Sequence, residues 1–321
     1  MESYAFVFPG QGSQSVGMGK ELAAASPAAA RIFRQADDAL GERISSLAWD
    51  GPADQLDQTQ NAQPALLATS IAYLGALRGR WADAGFDAPV AFAAGHSMGQ
   101  YSAFVAAGVL SFADGIRLVR ERGRLMQASG AGSDGAMAAI IGLDDGHLPE
   151  LVEQAARHGI FCVANRNAPG QVVVSGERPA IKAASDIAKQ LGARKVIVLP
   201  VSVAAHSPLM AEAAAGMTRA IADVDFHDPT IPLLANADAR PITTADAARA
   251  ELVEHLTAGV DWIRAVEGMT ASGVHSFVEV GPGRVLTGLI RRIAPDADAI
   301  ALDDPSAGDR LAVPFTTPTP A

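Results

Sequence analysis

The segment Gly95-His96-Ser97-Met98-Gly99 has the pattern G-x-S-x-G and directly follows an apolar run over residues 89–94. Between a strand and a helix, this pattern forms a sharp turn that holds a serine clear of the sheet, with backbone N–H groups close enough to bind an oxyanion. The flanking glycines leave room for that turn. Because glycine-flanked serines also occur in ordinary turns, the pentapeptide predicts a nucleophile at Ser97 only together with the rest of the chain.

Strand-like and helix-like segments alternate around this turn, which is typical of an α/β protein with a largely parallel sheet. The chain has a short apolar strand over Tyr4–Phe8, a helical pattern over Asn61–Leu77 and the strand Val90–Ala94 before the serine. Two later strands, Ile231–Ala235 and Ser276–Val280, are expected in the same sheet. We therefore expect one catalytic domain built from residues 1–132 and 203–304.

Residues 133–202 have the order β-α-β-β-α-β, which is the ferredoxin-like pattern, and this segment is predicted to be an inserted subdomain. Residues 305–321 carry prolines among threonines and alanines, which predicts a flexible tail. The strands expected in the insert are Ala136–Ile141, Phe161–Asn165, Gln171–Ser175 and Lys195–Val201, and its helices are expected near Leu148–His158 and Arg178–Leu191.

The composition narrows the possible functions. The chain of 321 residues has 35 acidic and 25 basic side chains, a net charge of −10, which argues against nucleic acid as a partner. It has no apolar run long enough to span a membrane and no secretion signal, so we expect a cytoplasmic protein without a membrane partner. The single cysteine, Cys162, excludes an intrachain disulfide and a cysteine-based metal cluster.

A serine nucleophile needs a base to take its proton, and the chain has seven histidines. His206 follows an apolar strand predicted over Val196–Val203 and precedes Ser207-Pro208, where the proline suits the first turn of a helix. A helix N-terminus disfavours a protonated imidazole, which would keep this side chain neutral. The pattern therefore favours His206 as the base, with a helix-capping histidine as the alternative. His96 is expected to point away from Ser97.

Arg122 gives the clearest indication of a substrate. In a helix over Phe112–Met126, it falls on the apolar face, whereas its charged neighbours fall on the opposite face. A buried arginine needs an anion, because an unpaired buried charge is costly. The spacing leaves two alternatives open, a substrate anion and an internal ion pair with an Asp or Glu.

The chain from about residue 4 to residue 300 resembles the malonyl-CoA:acyl carrier protein transacylases, which contain its motifs in the same order. The combination is far more specific than any single motif. The segments that carry the resemblance are Phe8-Pro9-Gly10-Gln11-Gly12-Ser13-Gln14, Gln63-Pro64-Ala65-Leu66, Gly95-His96-Ser97-Met98-Gly99, Glu121-Arg122-Gly123, Asn167-Ala168-Pro169-Gly170-Gln171-Val172, His206-Ser207-Pro208-Leu209-Met210 and Glu279-Val280-Gly281-Pro282-Gly283.

The resemblance implies an α/β-hydrolase-like domain with the ferredoxin-like insert. It also implies a ping-pong transfer of malonyl from coenzyme A to the phosphopantetheine thiol of an acyl carrier protein. In this family the serine matches Ser97, the base matches His206 and is oriented by backbone carbonyls, and Arg122 matches the arginine that binds the malonyl carboxylate. No cofactor or metal is implied, and we expect a monomer.

The oxyanion is expected to bind the backbone N–H groups of Gln11 and Met98, where neighbouring glycines allow the main chain to approach a ligand. A phosphate-binding loop is the rival interpretation of Gly10–Gly12, but no lysine follows as that loop requires. Gln63 is expected either near the pocket or at the start of a helix.

Three positions depart from the family pattern. Gln100 replaces a usual glutamate after the serine turn, and His255 stands where a glutamine is common. If only the backbone carbonyl at position 255 orients His206, that change is tolerated. Ala205 stands where relatives often carry phenylalanine or serine, so the pocket has room for an α-substituted malonyl group.

The sequence leaves three classes of function to compare. Transfer of a carboxyacyl group to a carrier protein is the main expectation, and a polyketide acyltransferase that uses an α-substituted malonyl-CoA is a variant of it. A serine hydrolase fits the turn but not Arg122, and a silent carrier-binding subunit does not fit the presence of both Ser97 and His206. The acidic carrier is expected to dock on a local basic patch that includes Arg284, Arg291 and Arg292.

Overall fold

A computed structural model of the protein describes residues 4–85, 89–132, 134–201, 203–303 and 311. The strands are β1 (Tyr4–Phe8), β2 (Val90–Gly95), β3 (Gly135–Ile141), β4 (Phe161–Ala168), β5 (Gln171–Glu177), β6 (Lys195–Val198), β7 (Leu233–Leu234), β8 (Pro241–Ile242), β9 (Val260–Asp261), β10 (Ser276–Glu279) and β11 (Asp298–Ala301). The α-helices are α1 (Lys20–Ala25), α2 (Pro27–Leu40), α3 (Ile44–Asp50), α4 (Ala53–Leu56), α5 (Thr59–Asp83), α6 (Gly99–Ala106), α7 (Phe112–Ala131), α8 (Leu148–Ala155), α9 (Arg178–Gln190), α10 (Ala211–Ala220), α11 (Ala245–Glu254), α12 (Trp262–Ala271) and α13 (Val285–Ile293). Short 3₁₀ turns cover Asp145–His147, Ala156–His158 and Pro208–Met210.

The first sheet has six strands in the order β11-β10-β1-β2-β7-β8. All its neighbours pair in parallel except β7 and β8, which are antiparallel. Strand β1 is buried on both faces, as parallel strands covered by helices are. Its Phe6 packs into one apolar cluster, and Val7 packs into another cluster on the opposite face. The expected largely parallel sheet is confirmed.

The second sheet has the order β6-β3-β5-β4-β9. The first four of these strands, with α8 and α9, form the expected ferredoxin-like pattern around their own apolar cluster, which includes Ile140, Val172 and Ile181. The fifth strand, β9, comes from beyond residue 202 and pairs in parallel with β4. The main domain thus contributes an edge strand to the second sheet, and the predicted domain boundaries stay a prediction.

Two strands are clearly shorter than the sequence predicts, and β10 ends one residue early, at Glu279. The expected strand Lys195–Val201 ends at Val198, and no strand extends to Val203 among the described residues. The next backbone N–H, of Leu199, still donates to Met137, so the pairing with β3 continues for only one residue beyond the end of β6. The strand expected over Ile231–Ala235 is confined to β7, because Pro232 before it has no N–H and Ala235 after it already donates to Arg240 across the turn to β8.

The predicted tail over residues 305–321 lies outside the described residues, apart from Leu311. In the described part of the chain, no helix combines the length and the apolar character needed to cross a membrane.

The carboxyl ends of the four neighbouring parallel strands β10, β1, β2 and β7 meet at one edge of the first sheet. In open α/β sheets this edge is where ligands bind. The segments that follow these ends include the loop of Gly10, the turn of Ser97 and Asn236. The sheet therefore gathers residues that are far apart in the sequence.

Candidate active site

Ser97 lies on the turn between β2 and α6 with a φ of 53°, in the left-handed region. The turn is tight because α6 begins directly over the end of β1, and a Cβ atom at Gly99 would lie 2.1 Å from the carbonyl oxygen of Phe8. A non-glycine residue with positive φ is strained, and such strain is common where a fold holds a reactive side chain. The turn therefore has the geometry of a nucleophile elbow.

His206 meets Ser97 across the cleft. Its Nε2 atom is 2.8 Å from the Oγ atom of Ser97, and its own φ of 58° is also in the left-handed region. The following helical turn is capped by Ser207, whose Oγ accepts from the N–H of Leu209. The geometry therefore does not support the alternative of a helix-capping histidine, because the imidazole of His206 faces Ser97 instead.

Two backbone carbonyls fix the tautomer of His206. Its Nδ1 atom lies 2.8 Å from the carbonyl oxygen of His255 and 3.0 Å from that of Ala258. Because carbonyl oxygens only accept, Nδ1 carries the proton and Nε2 presents its lone pair to Ser97. Burial, with a smaller contribution from the Arg122 guanidinium, lowers the pKa of His206 to about 4. The imidazole is therefore neutral at pH 7 and accepts the hydroxyl proton.

Arg122 lies on α7 and is 1% exposed, as its place on the apolar face predicts. Its Nη1 donates to Oε1 of Gln63 at 2.9 Å, and its Nη2 donates to Oγ of Ser97 at 3.2 Å. Its Nε has no hydrogen-bond partner, and no carboxylate among the described residues forms an ion pair with it. The internal ion pair that the spacing left open is therefore absent from the described residues, and the guanidinium keeps an uncompensated charge at the nucleophile.

Gln63 is part of this arrangement rather than of the start of a helix. Helix α5 begins at Thr59, so Gln63 lies in its second turn and is fully buried. Its Oε1 accepts from Arg122, and its Nε2 contacts Sδ of Met126 at 3.5 Å. The amide thus holds one edge of the guanidinium without neutralising it.

The two backbone N–H groups expected to bind the oxyanion both lie close to Ser97 in the structure. Gln11 lies in the loop after β1 and lines the cavity, and Met98 directly follows Ser97 at the start of α6. Within the described part of the chain, neither N–H forms a hydrogen bond. Both donors are consistent with the predicted oxyanion hole, which stays a prediction.

The cavity over Ser97 has a volume of about 480 Å³ and lies between the two sheets. The first sheet contributes the loop of Gln11, and the second contributes Met137 and Val173. Ala205 lines it beside His206, as expected from the sequence, and its small side chain leaves space there. Val285, from the start of α13, is exposed at the cavity.

The departures at Gln100 and His255 have structural explanations. Gln100 is buried, its Nε2 donates to the carbonyl of Leu234 at 2.8 Å, and its Oε1 accepts from the N–H of Gly95. An ionised glutamate could not make the first of these bonds. At His255 the backbone carbonyl orients His206, while both ring nitrogens are buried without a hydrogen-bond partner. Burial keeps the pKa of the His255 imidazole well below its usual value.

The remaining histidines lie away from the reacting atoms. His96 turns away from Ser97, with its Nε2 2.8 Å from Oδ1 of Asn167. The other four are exposed, and they are His147, His158, His227 and His275.

Two contacts of the site were missed by the sequence analysis. Oδ1 of Asn236 accepts from the N–H of Ser97 at 2.8 Å, and the carbonyl of Ala258 is the second acceptor for His206. Asn236 comes two residues after β7, at the same end of the sheet as Ser97, and a polar residue after a parallel strand is the one weak sign of it in the sequence. The backbone contact of Ala258 has no side-chain signal.

The three arginines expected to dock the carrier are exposed on or before α13, and each also has a partner within the chain. Nε of Arg284 pairs with Oδ2 of Asp303 at 2.6 Å, and Nη2 of Arg291 donates to the carbonyl of Ala299 at 3.1 Å. Arg292 donates to Gln171 and to the carbonyl of Pro169. Their role in docking stays a prediction.

Among the described residues, no group of three or more His, Cys, Asp or Glu side chains is placed to hold a metal ion.

The chain belongs to the acyl transferase domain family, whose model matches residues 5–301. It is 46% identical over 307 residues to the malonyl CoA-acyl carrier protein transacylase of Escherichia coli (strain K12), covering 96% of this chain and 98% of that relative. The family resemblance seen in the motifs is therefore confirmed.

Solved structures of malonyl transacylases are also similar to this chain. The malonyl CoA-acyl carrier protein transacylase from Coxiella burnetii superposes with a TM-score of 0.93 at 37% identity, over 98% of each chain. A malonyl-transacylase in complex with its type II polyketide acyl-carrier protein has a TM-score of 0.91 at 41% identity, over 96% of this chain and 98% of that one. The expected fold class is confirmed by these neighbours.

Proposed function

We propose that this protein transfers a malonyl group from coenzyme A to the phosphopantetheine thiol of an acyl carrier protein, through a malonyl ester on Ser97. One observation carries the proposal. The Oγ atom of Ser97 lies 2.8 Å from Nε2 of a neutral histidine and 3.2 Å from Nη2 of a buried arginine. A base and a carboxylate-binding cation thus meet at one hydroxyl. The names of the similar proteins agree with this activity.

In the first half-reaction, Nε2 of His206 takes the proton of Ser97 as Oγ bonds to the thioester carbonyl carbon. The carbonyl oxygen becomes an oxyanion that the N–H groups of Gln11 and Met98 stabilise. The intermediate then collapses, the C–S bond breaks, and the coenzyme A sulfur leaves with the proton from Nε2. The product is malonyl-Ser97 and free coenzyme A.

The second half-reaction runs the same steps in the opposite direction. The carrier thiol gives its proton to Nε2 of His206 and its sulfur attacks the ester carbonyl. The C–O bond to Ser97 breaks, and Oγ recovers the proton from Nε2. The two half-reactions therefore share one base and one oxyanion site, and the acyl group passes through one serine. This shared intermediate is the basis of ping-pong kinetics.

Arg122 gives the site its preference for a carboxyacyl group. A guanidinium binds a carboxylate through two parallel hydrogen bonds, and this pairing is strong where water is excluded. The guanidinium lies at the nucleophile itself, so the carboxylate of a malonyl group on Ser97 is within its reach. The bond from Gln63 holds the guanidinium for that purpose. A serine hydrolase has no need of such a charge.

Radiolabelled malonyl-CoA separates this proposal from its rivals. Without carrier protein, we expect one labelled acyl group per protein molecule and little free malonate. With holo-carrier protein, the label moves to the carrier. Rapid release of malonate without carrier would indicate a hydrolase, and no label on the protein would indicate a silent carrier-binding subunit.

The proposed reaction needs no cofactor or metal. His206 carries the proton in each half-reaction, and two backbone N–H groups stabilise the oxyanion. Activity after dialysis against a chelator tests this.

The cytoplasmic location expected from the sequence also stays a proposal. An α-substituted malonyl group, expected from Ala205, is tested by competition between malonyl-CoA and methylmalonyl-CoA for loading.

A further inference from the structure

Glu251 is a buried carboxylate that the two half-reactions do not use. It lies in the last turn of α11 and is 1% exposed. Its Oε1 accepts from the backbone N–H of Asn236 at 2.8 Å. The nearest cation, Nη2 of Arg240, is 3.8 Å from Oε2, and Nδ1 of His255 is 3.9 Å from Oε1. Among the described residues, the bond from Asn236 is therefore the one hydrogen bond that this side chain makes.

Asn236 connects this carboxylate to the nucleophile. Its Oδ1 accepts from the N–H of Ser97 at 2.8 Å, and its carbonyl accepts from the N–H of Asp261 at 2.7 Å. Because the N–H of Asn236 also donates to Glu251, hydrogen bonds fix Asn236 at three points, which are its backbone N–H, its backbone carbonyl and its side chain. A displacement of Asn236 would release the N–H of Ser97 on a strained turn.

The same helix also supports the base. His255 follows Glu251 by one helical turn, and its carbonyl accepts from Nδ1 of His206. The end of helix α11 therefore holds Ser97 through the side chain of Glu251 and through Asn236, and its C-cap residue, His255, holds His206 through a backbone carbonyl. The relative position of Oγ and Nε2 depends on both supports.

We infer that Glu251 is a positioning residue for Ser97, which it holds through Asn236 so that the serine Oγ stays in line with Nε2 of His206. This inference rests on the proposed function, since it takes Ser97 as the nucleophile. The role requires an acceptor at Oε1 and not a negative charge. Burial raises the pKa of Glu251 to about 7, and an acceptor oxygen is present in both protonation states.

Single-turnover loading with malonyl-CoA tests this role with three variants. Glu251→Met keeps a similar volume but removes the acceptor, and we expect loading to slow about 10- to 100-fold, because small misplacements of reacting groups have effects of this size. The apparent KM for malonyl-CoA should stay within about twofold, since Arg122 is untouched. Glu251→Gln keeps the acceptor and should load within about threefold of the wild-type rate. Glu254→Ala, at an exposed neighbour that bonds Arg240, is the matched control.

If Glu251→Met fails to fold, as judged by circular dichroism, Glu251→Ala replaces it in every arm of the test, because it also removes the acceptor and adds no bulk. Asn236→Ala removes the acceptor for the N–H of Ser97 and should slow loading to a similar extent. Adding Glu251→Met to Asn236→Ala should slow it no further, because both changes break one chain of contacts.

Three outcomes would overturn the inference. These are wild-type loading by Glu251→Met or by Asn236→Ala, an equal loss in Glu251→Gln and Glu251→Met, and additive losses in the double variant. If the wild-type protein itself forms no malonyl-Ser97, the proposed function fails first and this inference fails with it.

Discussion

Nη2 of Arg122 donates a hydrogen bond to Oγ of Ser97 at 3.2 Å. Among the described residues, Arg122 is the one cation that contacts the serine, and it is also the group proposed to bind the substrate carboxylate. The same charge helps burial to lower the pKa of His206. One arginine therefore has two effects, as it provides a binding site for a carboxylate and keeps the neighbouring imidazole neutral.

The pH dependence of the first half-reaction follows from His206. A lowered pKa means that the neutral, active imidazole persists as the pH falls, and that it is lost only as the pH falls through about 4. We expect loading rates to be flat from pH 8 to about pH 5.5 and to decline near the lowered pKa. Rapid-quench loading after brief pH jumps measures this profile. A midpoint near 6.5 would show an unperturbed imidazole and contradict the lowered pKa of His206.

His206→Ala should slow loading by about 10² to 10⁴, because general-base assistance is lost while the oxyanion site remains. Intact-protein mass spectrometry of quenched samples gives the rate. His275→Ala, at an exposed histidine, is the control and should behave like the wild type. Near-normal loading by His206→Ala would place the base elsewhere, with His255 as the next candidate.

Arg122→Ala should reduce transfer from malonyl-CoA far more than transfer from acetyl-CoA. Only malonyl offers a carboxylate, and a charge-assisted hydrogen bond contributes about 1.5 to 3 kcal/mol, which corresponds to roughly 10- to 150-fold. Values of kcat/KM for the two substrates measure the shift. Arg124→Ala, on the exposed side of the same helix, is the matched control. An equal loss for both substrates would make Arg122 a structural residue.

The local parts of the site could be predicted from the sequence. The turn of Ser97 depends on glycines two residues away, and the burial of Arg122 depends on the period of its own helix. Both signals lie within one or two neighbouring elements. The two parallel-sheet strands β1 and β2 were predicted to within one residue, because buried parallel strands read as continuous apolar runs.

The contacts that join distant segments could not be predicted in this way. Asn236 is 139 residues from Ser97, and the carbonyl of Ala258 is 52 residues from His206. A backbone carbonyl leaves no trace in the amino-acid sequence, and an asparagine after a short strand is common in loops. The strand β9 was missed for a similar reason, because two residues are too few to show a period.

The proposed carrier surface is tested by charge reversal. Arg291→Glu with Arg292→Glu should raise the KM for the acidic carrier and flatten its salt dependence, while the malonyl-CoA half-reaction is unchanged. Arg31→Glu with Arg34→Glu, two exposed arginines on α2, is the control with an equal change in charge. Unaltered carrier kinetics at low ionic strength would place the docking surface elsewhere.

The most direct test of the account is the intact mass of the protein after brief incubation with malonyl-CoA, followed by peptide mapping. We expect a mass increase of one malonyl group, located on Ser97 and removed by holo-carrier protein. Ser97→Ala should fold as the wild type does, because it removes only one oxygen, and it should show no increase. An adduct on the Ala variant, or a wild-type adduct on another residue, would contradict the account.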